Sequence, residues 1–322
     1  MNVLLSSAGR RVSLARAFQT ELSQLGLGGR LIATDLNPNL SAACQVADLS
    51  VSVPRTDDPE FLDRLLEVCL QHEISLVIPT IDTELLLLLA QSRARFADHG
   101  IFVSVPEPEF VGICRDKRLT AGFLEERGIR APRMISKNDP RFPLFIKPYD
   151  GSLSKDTYAI ASADELTEYH FRNEKLIFME YISPHEYDEF TVDMYYSENR
   201  LVCAVPRLRM EVRAGEISKG RTVKGALLHS LVERIGTVPG ARGCLTAQFF
   251  VHRATQEPVG IEINPRFGGG FPLSYAAGAN YPRWLIHECL REAPPTYWDG
   301  WEDGLLMLRY DEEVIVHDSR SQ

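Results

Sequence analysis

Four side chains in the C-terminal third have the types and spacing that phosphate chemistry needs. The segments TAQFFVHR (246–253) and IEINPRFGGGFP (261–272) flank a turn-like Ala254-Thr255-Gln256-Glu257. A hairpin centred on Thr255 sets Gln248 opposite Glu262, each seven residues from the centre. The two-residue period of a strand then puts Glu262 and Asn264 on one face. Arg266 follows just past the strand end. Oxygen ligands of low total charge suit a Mg²⁺ that already has phosphate partners. A neighbouring arginine suits the charge that develops on a transferring γ-phosphoryl group. A polar hairpin with one salt bridge is the competing reading, and glycines 268–270 directly after it count against that.

Three further segments contain related chemistry. PLFIKPYDGS (143–152) ends a strand on Lys147 and turns through Gly151 and Ser152, so an ammonium and backbone N–H groups can meet a phosphate. A surface turn is the alternative. LIFMEYI (176–182) is an apolar strand reaching Glu180, Tyr181 and Ile182, and EFTVDMYY (189–196) opens on Glu189. Exposed strand-end backbone can pair with an adenine edge, and a carboxylate can accept its amine; solvated strand-end charges are the alternative. PRLRMEVRAGEISKGRTVK (206–224) has six basic residues against two acids. An extended strand puts Arg207, Arg209 and Arg213 on one face, able to grip phosphates and a substrate carboxylate.

These motifs, in this order, resemble the ATP-grasp superfamily, and within it the carbamoyl-phosphate-synthase large-subunit-like and carboxylate-amine ligase proteins. The resemblance spans nearly the whole chain. It implies Gln248, Glu262 and Asn264 as metal ligands, with Arg266, Arg209 and Arg213 as catalytic arginines beside the triphosphate. It implies Lys147 on the α/β-phosphates, Lys117 on the nucleotide, and Gly151, Ser152 and Ser154 in a phosphate loop. Glu180 is expected to accept the adenine amine, Tyr181 and Ile182 to line the base, and Glu189 to bind ribose. ATP with Mg²⁺, or Mn²⁺ in its place, is the expected cofactor. The implied activity is ligation of a small-molecule carboxylate to an amine or thiol through an acyl phosphate, releasing ADP and phosphate. Alternatives are phosphorylation of bicarbonate of the carbamoyl-phosphate-synthase type, or a non-catalytic nucleotide-binding protein. The glycine-poor SLSKDT (152–157) favours the last of these.

The first hundred residues supply the scaffold. Strand-like Val3–Ser6, 30–39, Val51–Pro54, Leu76–Pro79 and Ile101–Val105 alternate with helical Val12–Leu25, Pro59–His72 and Asp82–Phe96. Such alternation implies right-handed crossovers and an open parallel α/β sheet. Ser7, Asp35, Asn37 and Asp82 fall near predicted strand ends, where substrate crevices form. SSAGRR (6–11) lacks the glycines of a dinucleotide site. Pro106 and Pro108 interrupt the alternation, a helix follows over Asp116–Arg127, and strands dominate from residue 189. The expected fold is therefore α/β, becoming α+β in its C-terminal part. Residues 1–112 form an open parallel pre-ATP-grasp domain, 113–182 the lid subdomain with its leading helix, and 183–322 an antiparallel catalytic subdomain.

The chain has 322 residues, 44% hydrophobic and 25% charged, with a formal charge of −9. That balance argues against nucleic-acid binding. The six cysteines (44, 69, 114, 203, 244, 289) form no CxxC pair, which fits reduced thiols in a cytoplasm. The longest aliphatic run, Leu85 to Ala90, is too short to span a bilayer. The expectation is a cytoplasmic protein without nucleic-acid or membrane partners, with room for a homodimer.

Overall fold

The computed structural model describes residues 1–81, 84–151, 155–213 and 215–316. Three sheets follow one another along the chain. The first contains β1 (Asn2–Ser6), β2 (Leu31–Asp35), β3 (Leu49–Ser52), β4 (Ile74–Pro79) and β5 (Phe102–Val103), all parallel, in the order β3-β2-β1-β4-β5. Helices α1 (Val12–Gln24), α2 (Ala42–Val46), α3 (Phe61–Gln71) and α4 (Glu84–Ala97) connect them. Strand alternation splits the apolar side chains between two cores. Val3 and Leu5 pack with Leu14 and Phe18 of α1, whereas Leu4 and Ile32 pack with Phe61 and Leu65 of α3. A parallel sheet covered on both faces follows.

Residues 108–115 were expected to interrupt the alternation, but they form a helix, α5 (Pro108–Arg115), beside α6 (Lys117–Glu125). Pro108 occupies the first helical turn, where its missing N–H leaves nothing unsatisfied and its fixed φ suits a helix. A small antiparallel sheet comes next: β6 (Met134–Ile135), β7 (Leu144–Pro148), β8 (Tyr158–Ile160), α7 (Glu168–Arg172) and β9 (Leu176–Glu180), in the order β6-β9-β7-β8. Its apolar core is separate, built on Leu144, Ile146, Ile160, Leu176 and Phe178.

The third sheet is antiparallel and six-stranded. It contains β10 (Tyr187–Ser197), β11 (Arg200–Arg213), β12 (Glu216–Thr222), β13 (Gly243–His252), β14 (Pro258–Asn264) and β15 (Leu306–Leu308). The order is β14-β13-β10-β11-β12-β15. Helices α8 (Ala226–Ile235), α9 (Phe271–Ala276) and α10 (Tyr281–Cys289) complete this part. Glu198 and Asn199, both with positive φ, make the tight turn between β10 and β11 that fixes their register. Helix α6 lies close on β14, since a β-carbon on Gly260 would fall 2.4 Å from Leu124 Cδ1.

Helix α1 ties the first sheet to the third. Phe18 meets Phe267 edge-on, and one continuous core runs from Val3 to Trp301. Glu21, 1% exposed, accepts from Tyr275 Oη at 2.7 Å and Arg283 Nε at 2.6 Å. Burial alone would raise its carboxyl, but hydrogen bonds from Tyr275, Asn280 and Arg283 outweigh this and hold it below the ordinary range. The carboxylate therefore stabilises the fold at neutral pH, and that stabilisation disappears as pH falls through its lowered value. Glu21→Gln should cost about 1–2 kcal/mol at pH 7, with a deficit that shrinks towards pH 3. Urea unfolding at the two pH values reads this out; an equal deficit at both would contradict it.

Candidate active site

The register of the large sheet lays its inward side chains out as a grid. Gln248 pairs with Glu262 and with Thr191, and Thr191 pairs with Arg207, so one row crosses four strands. The next row is Asp193, Thr246 and Asn264. In the other direction lie Glu189 and Phe250, paired across β10 and β13. The hairpin thus has the expected Gln248–Glu262 register, although a bulge at Ile261 shifts the pairing nearer the turn, where Phe249 meets Gly260.

Between this grid and the small sheet lies a cavity of about 470 Å³. Phe145, Met179, Ile182, Pro184, Phe250 and Ile261 supply its apolar wall, and Lys117, Lys147 and Glu262 its central charges. Arg11, Arg266, Glu216 and Gly268–Gly270 also line it. The chain after β14 fixes the order of these groups. Ile261, Glu262, Asn264 and Arg266 follow one another along the chain, so the apolar wall precedes the acid and the acid precedes the arginine and glycines.

Two lysines face Glu262. Lys147, 7% exposed near the end of β7, has its ammonium pushed down to about 8 by burial; Glu262 opposes the shift and Lys117 adds to it. Lys117 begins α6, which Asp116 caps by accepting from Arg118 N at 2.9 Å. The Lys117 ammonium donates to Gly151 O at 2.5 Å and lies 3.7 Å from Glu262 Oε2. Burial would raise Glu262, yet Lys117, Lys147, an Asn264 hydrogen bond and Arg266 hold it below its ordinary value. It is a carboxylate with 23% of its side chain still accessible. Burial raises Glu189, against the pull of Arg209, whose Nε lies 3.2 Å from Glu189 Oε1.

The structure brings Lys117, Lys147, Gly151, Glu180, Tyr181, Ile182, Glu189, Arg209, Gln248, Glu262, Asn264 and Arg266 to this cavity. Arg213 is not among the lining residues. It stands at the end of β11 beyond two register shifts, 70% exposed, 3.3 Å from Glu211. Arg207 lines the cavity but is buried to 0%, paired with Asp193 through Nε at 2.8 Å and Nη2 at 3.0 Å. The expected basic face is therefore split, with Arg209 facing the cavity, Arg207 in the core and Arg213 in solvent. Glu180 accepts from Arg130 and from Arg133 N at 3.2 Å, so much of its carboxylate is engaged within the protein. Ser7, Asp35 and Asn37 are not in the cavity wall. Asp35 instead accepts from the Gly9 and Leu36 amides, at 2.9 and 2.8 Å, to shape the loop after β1. Ser152, Ser154 and Asp82 lie outside the described residues.

Arg11, Glu216, Thr191 and Asp193 were not selected from sequence as site residues. Glu189, Thr191 and Asp193 are a polar stripe at period two within an otherwise apolar strand, a signal that was present. Arg11, at the start of α1, and Glu216, at the start of β12, had none, because only the folded cavity brings them together.

The donor set fits a hard cation that arrives with a nucleotide. Gln248, Glu262 and Asn264 offer one carboxylate and two amide oxygens, and Asn264 already donates to Glu262 Oε1 at 3.0 Å. Among the described residues no three His, Cys, Asp or Glu side chains cluster as a self-sufficient metal cage. One carboxylate facing two lysines holds a divalent ion only when phosphate oxygens complete the coordination.

A family model described as PylC-like, N-terminal domain, matches residues 3–104. A second, described as ATP-grasp in the biosynthetic pathway with Ter operon, matches residues 172–309. No curated protein matches the chain. Among solved structures it is similar to the biotin carboxylase β-γ-ATP complex of Campylobacter jejuni, at 14% identity over 91% of this chain and 72% of that one, TM-score 0.70. The N5-carboxyaminoimidazole synthetase of Staphylococcus aureus complexed with ADP gives 14% identity, 92% and 79% coverage, and TM-score 0.68. The L-amino acid ligase of Bacillus licheniformis gives 15%, 91% and 75%, and TM-score 0.68. At these identities the shared property is the fold. No helix among the described residues is long and apolar enough to cross a membrane.

Proposed function

We propose, from the premise that this chain is an ATP-grasp protein, that it activates a small carboxylate with Mg·ATP and passes it to an amine or thiol. The observation that supports this most is the Gln248–Glu262–Asn264 set facing Lys117 and Lys147 across one cavity. Adenine would lie on the apolar wall of Phe145, Met179, Ile182 and Phe250, edge-on to the Tyr181-Ile182 backbone, and Glu189 would meet the ribose. Lys147 and Lys117 would neutralise the phosphates. Gln248, Glu262 and Asn264 would hold a Mg²⁺, which would supply charge neutralisation for the phosphates. Arg266 and Arg209 would stabilise charge on the transferring group, and the walls would orient it and exclude water.

In the reaction a carboxylate oxygen attacks the γ-phosphorus and the β–γ bridge breaks, so ADP leaves and an acyl phosphate forms. An amine or thiol then attacks the acyl carbon and phosphate departs. No acid–base pair is required for the phosphoryl step, which rests on positioning and electrostatics. The test uses hydroxylamine as the nucleophile with Mg·ATP and a panel of carboxylates. The correct carboxylate should give a hydroxamate and ADP in equal amounts, with ¹⁸O from the carboxylate appearing in the released phosphate. AMP as product would overturn the reading, as would turnover with bicarbonate alone and no hydroxamate from any carboxylate.

A further inference from the structure

A short strap, residues 130–133, ties the two antiparallel sheets together beside the cavity. It starts on the edge of the large sheet, where Arg130 bridges to Val259 of β14 and its carbonyl accepts from Gly260 N at 2.8 Å. It ends on the small sheet, where the Arg133 carbonyl accepts from Glu180 N at 2.8 Å and β6 begins its pairing with β9. The Glu180 carboxylate joins the two ends of the strap. Its Oε1 accepts from Arg130 Nη2, its Oε2 accepts from Arg133 N at 3.2 Å, and Arg133 Nε stands 3.5 Å from Oε2. Burial would raise Glu180, but the Arg133 amide and the Arg130 and Arg133 guanidiniums hold it below its ordinary value, so it is an anion. Glu180 and Pro132 line the cavity, and the two arginines are not among its lining residues. The arginines differ in footing. Arg130 has its backbone fixed on β14, whereas the Arg133 side chain is 79% exposed. Without Arg130, the carboxylate would follow a guanidinium that stands in solvent.

We infer that Arg130 is a positioning residue for base selection, holding Glu180 so that its remaining lone pairs face the 6-amino group of a purine. This rests on the nucleotide reading above, in which the base lies beside Tyr181-Ile182. A carboxylate offers about four lone-pair sites. Arg130 Nη2 and Arg133 N take two of them, which leaves the base edge an acceptor and no donor. An ionised acceptor makes a stronger hydrogen bond than a neutral one, so the amine is read well as long as the carboxylate cannot turn away. Arg130 prevents that turn. Its anchorage at Gly260, two residues before Glu262, has a second effect. Glu180 is set for the base only while the small sheet sits against the large one, the same arrangement that brings Lys147 to Glu262.

The experiment compares ADP with purine riboside diphosphate, which keeps the ring nitrogens and lacks only the 6-amino group, so backbone contacts to the ring cancel. Calorimetry with Mg²⁺ on the intact protein should show ADP binding about tenfold or more tightly. Arg130→Met keeps the aliphatic stem and removes the charge. It should bring the preference below about threefold while purine riboside diphosphate binds within about twofold of the parent, which also shows that the variant folds. Arg130→Lys should restore most of the preference, because only one guanidinium nitrogen meets Oε1 and an ammonium can replace it. An Arg130→Met variant that weakens both nucleotides alike, or keeps the full preference, would overturn the inference. A parent without preference would overturn it too and leave the ligase reading standing, since that reading depends on the phosphates and the metal. A parent that binds neither nucleotide would overturn both.

Discussion

Replacing Glu262 and Asn264 together with alanine should abolish ATP turnover, by on the order of 10³-fold or more, while the protein remains folded. Glu262 keeps 23% of its side chain open to the cavity, so its removal leaves no sealed void. What it leaves is electrostatic. Lys117 and Lys147, both under a tenth exposed, would face one another without their shared carboxylate. The cavity then repels cations and attracts anions more strongly. Binding of ADP without metal should accordingly be unchanged or tighter, whereas the gain in affinity on adding Mg²⁺ should vanish. Calorimetry with and without Mg²⁺, beside a coupled ATPase assay, separates these effects. A double variant with near-normal turnover would show that the cation binds elsewhere.

The second large effect concerns stability. Asp193 is 0% exposed and accepts from Arg207 twice, from Ser274 Oγ at 2.6 Å and from Thr246 Oγ1 at 3.2 Å. Its own carbonyl accepts from Tyr281 Oη at 2.8 Å, so β10, β11, β13, α9 and α10 all meet at this residue. Asp193→Ala leaves a buried guanidinium without a counter-charge and should destabilise by about 3–5 kcal/mol. The paired change Asp193→Leu with Arg207→Met removes both charges at similar volume and should recover most of that loss. Urea midpoints of the single and paired variants test this. A single variant less than about 1 kcal/mol below the parent would show that the ion pair is not sealed from water.

The hairpin that positions Glu262 was legible because its information is local. A turn at 254–257 and a period of two decide the pairing, and the bulge at Ile261 shifts the pairs nearer the turn while Gln248 still opposes Glu262. The parallel sheet was legible for a similar reason, since each strand and helix carries its own periodicity. Strands β6 and β8 were missed because two or three residues are too few to show a period. Helix α5 was missed because Pro108 reads as a break from sequence and as a helix start in context. The arginines of 207–213 failed differently. Charge and alternation are identical for Arg207 and Arg213, and what separates them is an aspartate fourteen residues earlier and two register shifts later in β11. Neither is visible along a single strand. Glu216 and Arg11 lie further still from sequence reasoning, being 205 positions apart and joined only by the closing of the cavity.

The separate small core beneath β7, β8 and β9 has a thermodynamic meaning of its own. The first and third sheets share one continuous apolar interior, so opening either exposes both, and their amides should exchange together through global unfolding. Leu144, Ile146, Ile160, Leu176 and Phe178 belong to no such interior. That sheet can open as a subglobal unit at a fraction of the global free energy, and Lys147 would travel with it. The chain should thus have a weaker cooperative unit over the cavity than beneath it. On the proposed reading, admission and release of a nucleotide would be local events that leave the Glu262 row standing.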